Sequence, residues 1–387
     1  MTGLSGGAWA AAKGAVRPSA LAGTWYPSSP AILRATVWNL ARQASAAPRP
    51  ARRPVALVVP HAGWAYSGAV AASAFRLLGP GSFSRVVVVA PSHYGAFAGY
   101  ALDDAAAYRT PLGEIPLDRA AFELLQGSGL ARVVSGVTGP EHAVEIELPF
   151  LQATIGSFSL VPVLVGRVGA EEQEAFAARL AKLDDGRTLY VFSSDFTHYG
   201  PRFEYAPFGP TPGAHAKIRA LDDEALALLS KLDADGFRAF LAAKEATICG
   251  RNGLATMLEL LARIAPGAKA TLLAHWASGE MPGVRDDGSV DYAAVAFTRD
   301  GDMGGAPLTS PPRMTAVPAD APPLPEPLGK TLVRVARGAL EAELGSDPKR
   351  LSEALRDLAD APEAGRLQAV FVTLKNTDPL EIARVGD

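Results

Sequence analysis

Two apolar runs rich in branched residues, 54–60 and 85–90, are separated by small and apolar residues over 65–78 that close on Gly79-Pro80. Continuous runs of this kind suit strands buried on both faces, and the segment between them suits a crossover helix, so together they predict a βαβ unit. The pattern repeats, with runs at 160–165 and 189–192 flanking a helical stretch at 171–183. Repeated units of this type put helices on both faces of one sheet, which predicts an α/β fold with a mixed, largely parallel sheet. From 214 to 264 the apolar residues, among them Ile218, Leu221, Leu226 and Leu229, recur at three- or four-residue steps, as helices packed over that sheet require. Runs at 271–276 and 292–297 read as two late strands of the same domain.

The ends of the chain differ from this middle. Residues 1–22 are rich in Gly and Ala, interrupted by Lys13 and Arg17, and lack the ordered regions of a secretory signal, so they read as a loose tail. Residues 307–327 carry eight prolines in 21 positions, the composition of an extended linker. Beyond it, an amphipathic stretch at 332–344 and a strand-like run at 369–374 are too little to build a stable core easily. No window reaches the ~18 consecutive apolar residues of a membrane span. With 37 basic and 40 acidic side chains the net charge is -3, which offers no footprint for nucleic acid and no polybasic membrane anchor. A single cysteine, Cys249, excludes an internal disulfide and fits a reducing compartment, so the protein is expected in the cytoplasm. Function must therefore come from a local site.

Polar signatures lie where strands are expected to end: Pro60-His61-Ala62-Gly63, Pro91-Ser92-His93 and Ser193-Ser194-Asp195-Phe196-Thr197-His198. In open α/β sheets ligands bind beyond the carboxyl ends of the strands, so these side chains converge from distant parts of the chain. A lone histidine is more often structural, but four of the six histidines fall in such turns or at a helix start. Thr247-Ile248-Cys249-Gly250-Arg251 sits between two helical segments, where Cys249 can be buried filler, a metal ligand or a reactive thiol. Two imidazoles and one anionic ligand suit a borderline or soft transition metal and leave positions open for chemistry. Glu141-His142-Ala-Val-Glu145 reads as the first turn of a helix, with His142 and Glu145 sharing a face. That pair is either an exposed, dipole-compensating one or an acid/base pair; Asp195 and His198, also three apart, could orient a ligand, carry a proton or hold the turn.

Taken together these segments resemble the Memo family, the B component of the AmmeMemoRadiSam system. The resemblance runs from about Arg17 to Phe297 and rests on Leu21-Ala-Gly-Thr-Trp25-Tyr26-Pro27, PHAG with Tyr66-Ser67-Gly68, PSH, Tyr108-Arg109-Thr110-Pro111-Leu112-Gly113, EHAVEIELPFLQ, VPVLVG, SSDFTHYG and TICGR. It divides the chain into a tail at 1–16, a Memo-like domain at 17–299, a linker at 300–328 and a segment at 329–387 that resembles the start of the Amme domain and then stops short. It implies a fold similar to class III extradiol dioxygenases and a metal bound by His61, His93 and Cys249. Iron(II) is the first expectation, copper the second and zinc the third. Asp195, His198, His142 and Glu145 are then expected around the chemistry, with Tyr66 and Arg251 on a small or peptidyl substrate, and a radical-SAM protein and an Amme protein as partners. Two residues depart from the family: Asn252 stands where a histidine is common after CGR, and His275 replaces a more usual tyrosine, read here as strand packing. A dioxygenase-like metalloprotein leads; a peptide-binding scaffold using Arg251, Trp64 or Tyr66, a Cys249 nucleophile and a zinc hydrolase are the alternatives.

Overall fold

The computed structural model describes residues 14–44, 47–280 and 288–299. Strand β1 (Val16–Arg17) leads to helix α1 (Pro30–Gln43), and the first expected unit follows as β2 (Pro54–Val59), α2 (Trp64–Phe75) and β3 (Arg85–Pro91). Short strands β4 (Tyr100–Leu102), β5 (Ala107–Thr110) and β6 (Gly113–Pro116) come next, then α3 (Arg119–Gln126), β7 (Ala131–Val133), α4 (His142–Glu145) and α5 (Leu148–Ile155). The second unit is β8 (Ser159–Val165), α6 (Ala170–Leu180) and β9 (Thr188–Ser193). After β10 (His198–Tyr199) come α7 (Thr211–Ser230), α8 (Ala234–Lys244) and α9 (Arg251–Ile264), and the domain closes on β11 (Lys269–Ala277) and β12 (Ser289–Thr298).

The large sheet runs β10-β12-β2-β9-β3-β8-β4-β7, with β11 also paired to β12. Its centre, β2-β9-β3-β8, is parallel throughout, so the carboxyl ends of these strands share one rim. Its margins are not: β12 is antiparallel to β2 and to β11, and β4 is antiparallel to β8. The sheet is thus mixed, with one further parallel pair, β4-β7, at its edge. A second small sheet, β1-β5-β6, was not expected from the pattern.

The central strands are apolar on both sides because both sides are covered. Leu57 and Val59 join the core formed with Leu33, Val37, Phe75 and Phe150 of α1, α2 and α5, while Ala56 and Val58 join that formed with Phe176, Phe237 and Leu258 of α6, α8 and α9. Each fully buried Val or Leu contributes ~1.5–3 kcal/mol, so the two-faced Val runs fix both layers at once.

The tail expected over 1–22 gives way at Val16: Arg17, Leu21 and Tyr26 are all buried. The stretch read as one helix start at 141 is two short helices, α4 and α5, meeting at Ile146-Glu147. Among the described residues no helix is long and apolar enough to cross a membrane. The segments expected as linker and Amme-like fragment, 300–328 and 329–387, lie outside the described residues.

Candidate metal centre

His61 follows β2, His93 follows β3 and Asp195 follows β9, so three adjacent parallel strands deliver polar side chains to one rim. Cys249 comes from the turn before α9. That turn needs a glycine next: a Cβ on Gly250 would sit 2.4 Å from Ser194 Cβ and 3.0 Å from Ser193 O, and Gly250 N donates to Ser194 Oγ at 3.0 Å. A Gly250→Ala variant is therefore expected to lose about 1–3 kcal/mol, as overpacking does. It should also bind metal more weakly because Cys249 moves; urea melts and a metal titration would check both.

The sulfur and the first imidazole meet across 188 positions of chain, with Cys249 Sγ 3.1 Å from His61 Nε2. Ligand atoms of His61, His93 and Cys249 lie within 4.8 Å of one another. Donors on one ion at ~2.3 Å for sulfur and ~2.0–2.1 Å for nitrogen stand about 3.1–3.6 Å apart, so the sulfur–imidazole spacing fits a shared ion.

Each histidine is held by its other nitrogen. His61 Nδ1 lies 2.8 Å from Ser193 Oγ, which donates to Glu147 Oε1 at 3.0 Å. His93 Nδ1 pairs with Glu141 Oε1 at 2.9 Å, and the His93 amide donates to Glu141 Oε2 at 2.7 Å. Occupying Nδ1 fixes the tautomer and leaves Nε2 for a ligand role, the arrangement that metal-binding histidines use. Asp195 closes the pocket: its Oδ1 accepts from the His61 amide at 2.8 Å, and its amide donates to Cys249 Sγ at 3.1 Å. His198 turns Nδ1 to the carbonyls of Phe196 and Thr247, at 3.0 and 3.1 Å.

Burial, then the neighbouring His93 and His142, push His61 well below its usual range, which keeps its lone pair free. Burial, then the Asp195 carboxylate, push the Cys249 thiol up, so without an ion it stays protonated and is a poor nucleophile. Burial pushes Glu147 well above the usual carboxyl range. For Glu141 burial acts upward, but the bonds and charge of His93 outweigh it and hold the carboxylate low.

The His142 ring makes tilted contacts with Trp25 and His93, with ring centroids 4.8 and 4.3 Å away, and its Nδ1 is 3.4 Å from Glu141 Oε1. Burial, then His93, lower its pKa to about 4. An unfolded histidine titrates near ~6.5 and takes up a proton that the folded one refuses. Stability of the ion-free protein is therefore expected to be complete above ~6.5 and to fall by on the order of 3 kcal/mol as pH drops toward 4. Urea melts at pH 7 and 4.5 should show the loss, and His142→Gln should make it smaller.

Glu145 is not part of this cluster. Its oxygens accept from Arg17 Nη1 at 2.9 Å, Ser19 Oγ at 2.7 Å, Leu21 N at 2.9 Å and Tyr26 OH at 2.8 Å. The exposed pair read from the spacing is replaced by a buried clamp on the N-terminal segment. Trp64, considered as a peptide contact, is buried and donates from Nε1 to Ile146 O at 3.3 Å. Tyr66 is exposed on the first turn of α2 beside Trp25, both lying against Gly63. Arg251 is exposed and, with Cys249, Arg167 and Phe97, lines a cavity of about 200 Å³. Asn252 donates to Gly166 O at 2.8 Å, tying α9 to the end of β8, so it anchors the turn and does not act as a base.

Glu141, Ser193 and Trp25 complete the surroundings and were quoted in motifs without being assigned a role. The usable signal was chemical: a ligand histidine needs an acceptor for its second nitrogen, and Glu141 directly precedes His142 in the most acidic of the motifs.

A parallel-centred sheet whose strand ends gather two imidazoles and a thiol defines an α/β protein with a candidate nitrogen–sulfur metal centre. The chain belongs to the Memo-like family, whose model, described as Memo-like protein, matches residues 17–296. It is 31% identical over 291 residues to Protein MEMO1 of Homo sapiens, covering 73% of this chain and 97% of that one. Protein MEMO1 of Danio rerio is 32% identical over 299 residues, covering 73% and 97%. The memo-1 homolog of Caenorhabditis elegans is 32% identical over 249 residues, covering 63% and 70%. Among solved structures, that of protein JW3007 from Escherichia coli K12 matches with a TM-score of 0.39 at 16% identity, covering 64% of this chain and 100% of that one.

Proposed function

We propose that this Memo-family chain is a metal-dependent redox protein in which His61, His93 and Cys249 hold iron(II), with copper the second choice and zinc the third. The observation that carries the reading is the donor set itself: two histidines with Nδ1 already committed and a buried sulfur 3.1 Å from one Nε2. Three protein donors leave coordination positions open, and a bound ion would supply redox change or oxygen activation there.

The chain's own residues do the rest. Glu141 and Ser193 hold the imidazoles in orientation, and Asp195 fixes the His61 backbone while its amide supports the sulfur. His198, with Nδ1 directed at two carbonyls, offers Nε2 as the proton acceptor beside the pocket. Trp25, Tyr66 and Tyr94, exposed aromatic side chains among the described residues, line its approach with Arg251, a surface suited to a small aromatic or peptidyl substrate. That same rim supports the second reading, a peptide-binding scaffold. A lone thiol kept as a ligand suits the reducing cytoplasm, and the family relation makes a radical-SAM protein and an Amme protein the partners to look for.

Anaerobically purified protein should carry one equivalent of iron and consume oxygen, and His61→Ala should abolish both. Metal-free protein that still binds peptides would replace this reading with the scaffold.

A further inference from the structure

Behind the loop that supplies Asp195 and His198 lies a second cluster that the proposed centre does not use. Asp222 on α7, His275 on β11 and Asp291 on β12 each place a ligand atom within 4.8 Å of the others. The site is closed to solvent: side-chain exposure is 0% for Asp222, 4% for His275 and 3% for Asp291. Yet its polar atoms are left over. Both ring nitrogens of His275 have no hydrogen-bond partner, and Asp222 Oδ2 and Asp291 Oδ1 have none while both carboxyls are ionised; a proton shared between them would pair these two but not the imidazole. Buried polar groups are nearly always paired, so an unpaired imidazole against two buried carboxyls needs a cause. Strand packing, the reading given to His275 from sequence, leaves it unexplained.

Their spacing supplies one. His275 Nε2 is 3.6 Å from Asp291 Oδ2 and 4.0 Å from Asp222 Oδ2, too long for hydrogen bonds. Nitrogen and oxygen ligands at ~2.0–2.2 Å from one tetrahedral ion stand about 3.4 Å apart, so small shifts would seat all three. The far nitrogen, Nδ1, lies 3.4 Å from the half-exposed Asp223 carboxylate without a hydrogen bond, close enough for a small ring shift to make the contact that orients a ligating imidazole. Arg219, the nearby cation, spends its guanidinium on the His275 carbonyl at 3.1 Å. Among the described residues no Lys or Arg forms an ion pair with Asp222 or Asp291.

We propose that Asp222, His275 and Asp291 form a second metal site for a first-row divalent transition cation, one imidazole and two carboxylates being a borderline set suited to zinc or manganese. Its position gives it a bracing role. Thr197 Oγ1 donates to Asp222 Oδ1 at 2.6 Å, the Phe196 amide donates to Asp291 O at 2.8 Å, and the Asp291 amide donates to Thr197 O at 3.0 Å. An ion here ties α7, β11 and β12 to the loop that carries Asp195 and His198.

Titration of metal-stripped full-length protein with Zn2+ and Co2+ tests this. Wild type should take two equivalents and Cys249→Ser one. The ion retained by Cys249→Ser should give a cobalt spectrum without thiolate charge-transfer absorption. Adding His275→Tyr to Cys249→Ser should weaken this remaining binding at least ~100-fold, beyond the ~10–100-fold cost of losing an outer-shell partner. A folded Cys249→Ser protein that binds neither ion overturns the proposal, as does binding that His275→Tyr leaves unchanged; in the first case shared protons, not a metal, hold the carboxylates together. If the double variant fails to fold, the cobalt spectrum of Cys249→Ser decides alone. The two sites fail separately: one thiolate-bound equivalent in wild type sinks only this inference, whereas one thiolate-free equivalent sinks only the redox centre.

Discussion

Cys249→Ser is expected to lower the affinity of the rim site for its transition metal by at least ~100-fold while leaving the fold intact. Removing an outer-shell partner of a ligand already costs ~10–100-fold, and a serine hydroxyl replaces the softest donor of the three with a weak one. The fold should tolerate the change because the Asp195 amide, now 3.1 Å from the sulfur, can donate to a serine oxygen instead. Glu141→Gln is the smaller companion, expected within that ~10–100-fold range because it releases only the hold on His93. Metal analysis after dialysis, with circular dichroism as the control, measures both. Unchanged metal in Cys249→Ser would remove the sulfur from the centre. Because burial keeps the thiol protonated when no ion is bound, uptake should also release a proton, visible as a buffer-dependent binding enthalpy.

Glu145→Ala should be the most destabilising single change at this end of the molecule. Its carboxylate neutralises Arg17, whose side chain is 2% exposed, and accepts from Ser19, Leu21 and Tyr26 as well. Breaking a buried pair by removing one partner costs about 3–5 kcal/mol, since the charge left behind stays desolvated. For a domain of this size that is a drop of roughly 6–20 °C in Tm. The reach is longer than the pair itself, because Arg17 also donates to the carbonyls of Gly139 and Glu141 at 3.0 and 2.8 Å. The N-terminal segment thereby holds in place the carboxylate that orients His93. Differential scanning calorimetry checks the stability. If Glu145 were instead a proton carrier, Glu145→Gln would cost turnover and leave Tm untouched.

The parallel centre of the sheet was legible because two-sided burial writes itself as uninterrupted Val-rich runs, and the motifs after β2, β3 and β9 could be placed by the rule that ligands sit beyond strand ends. His61, His93 and Cys249 were legible only as members of motifs, since nothing local brings a residue at 249 to one at 61. The margins of the sheet were harder to see. Strands of three residues such as β4 and β7 carry too little pattern, and their pairing is decided by packing between distant segments. The partnership of Arg17 and Glu145 was not legible for a related reason: 128 positions separate them, and only the fold makes them each other's partner. His275 lies buried on a strand, as read from the sequence, but strand packing alone does not account for its unpaired nitrogens.

The register of β2, β9 and β3 has a meaning beyond the sheet. Val59 lies opposite Ser193 and Val89 opposite Phe192, and His61, Asp195 and His93 are counted off from those positions. A slip of one residue would displace a donor by ~3.3 Å, more than a metal–ligand bond. On the proposed reading only chains zipped in the native alignment would load an ion, so the extent of metallation would be a built-in audit of whether the polypeptide has folded correctly.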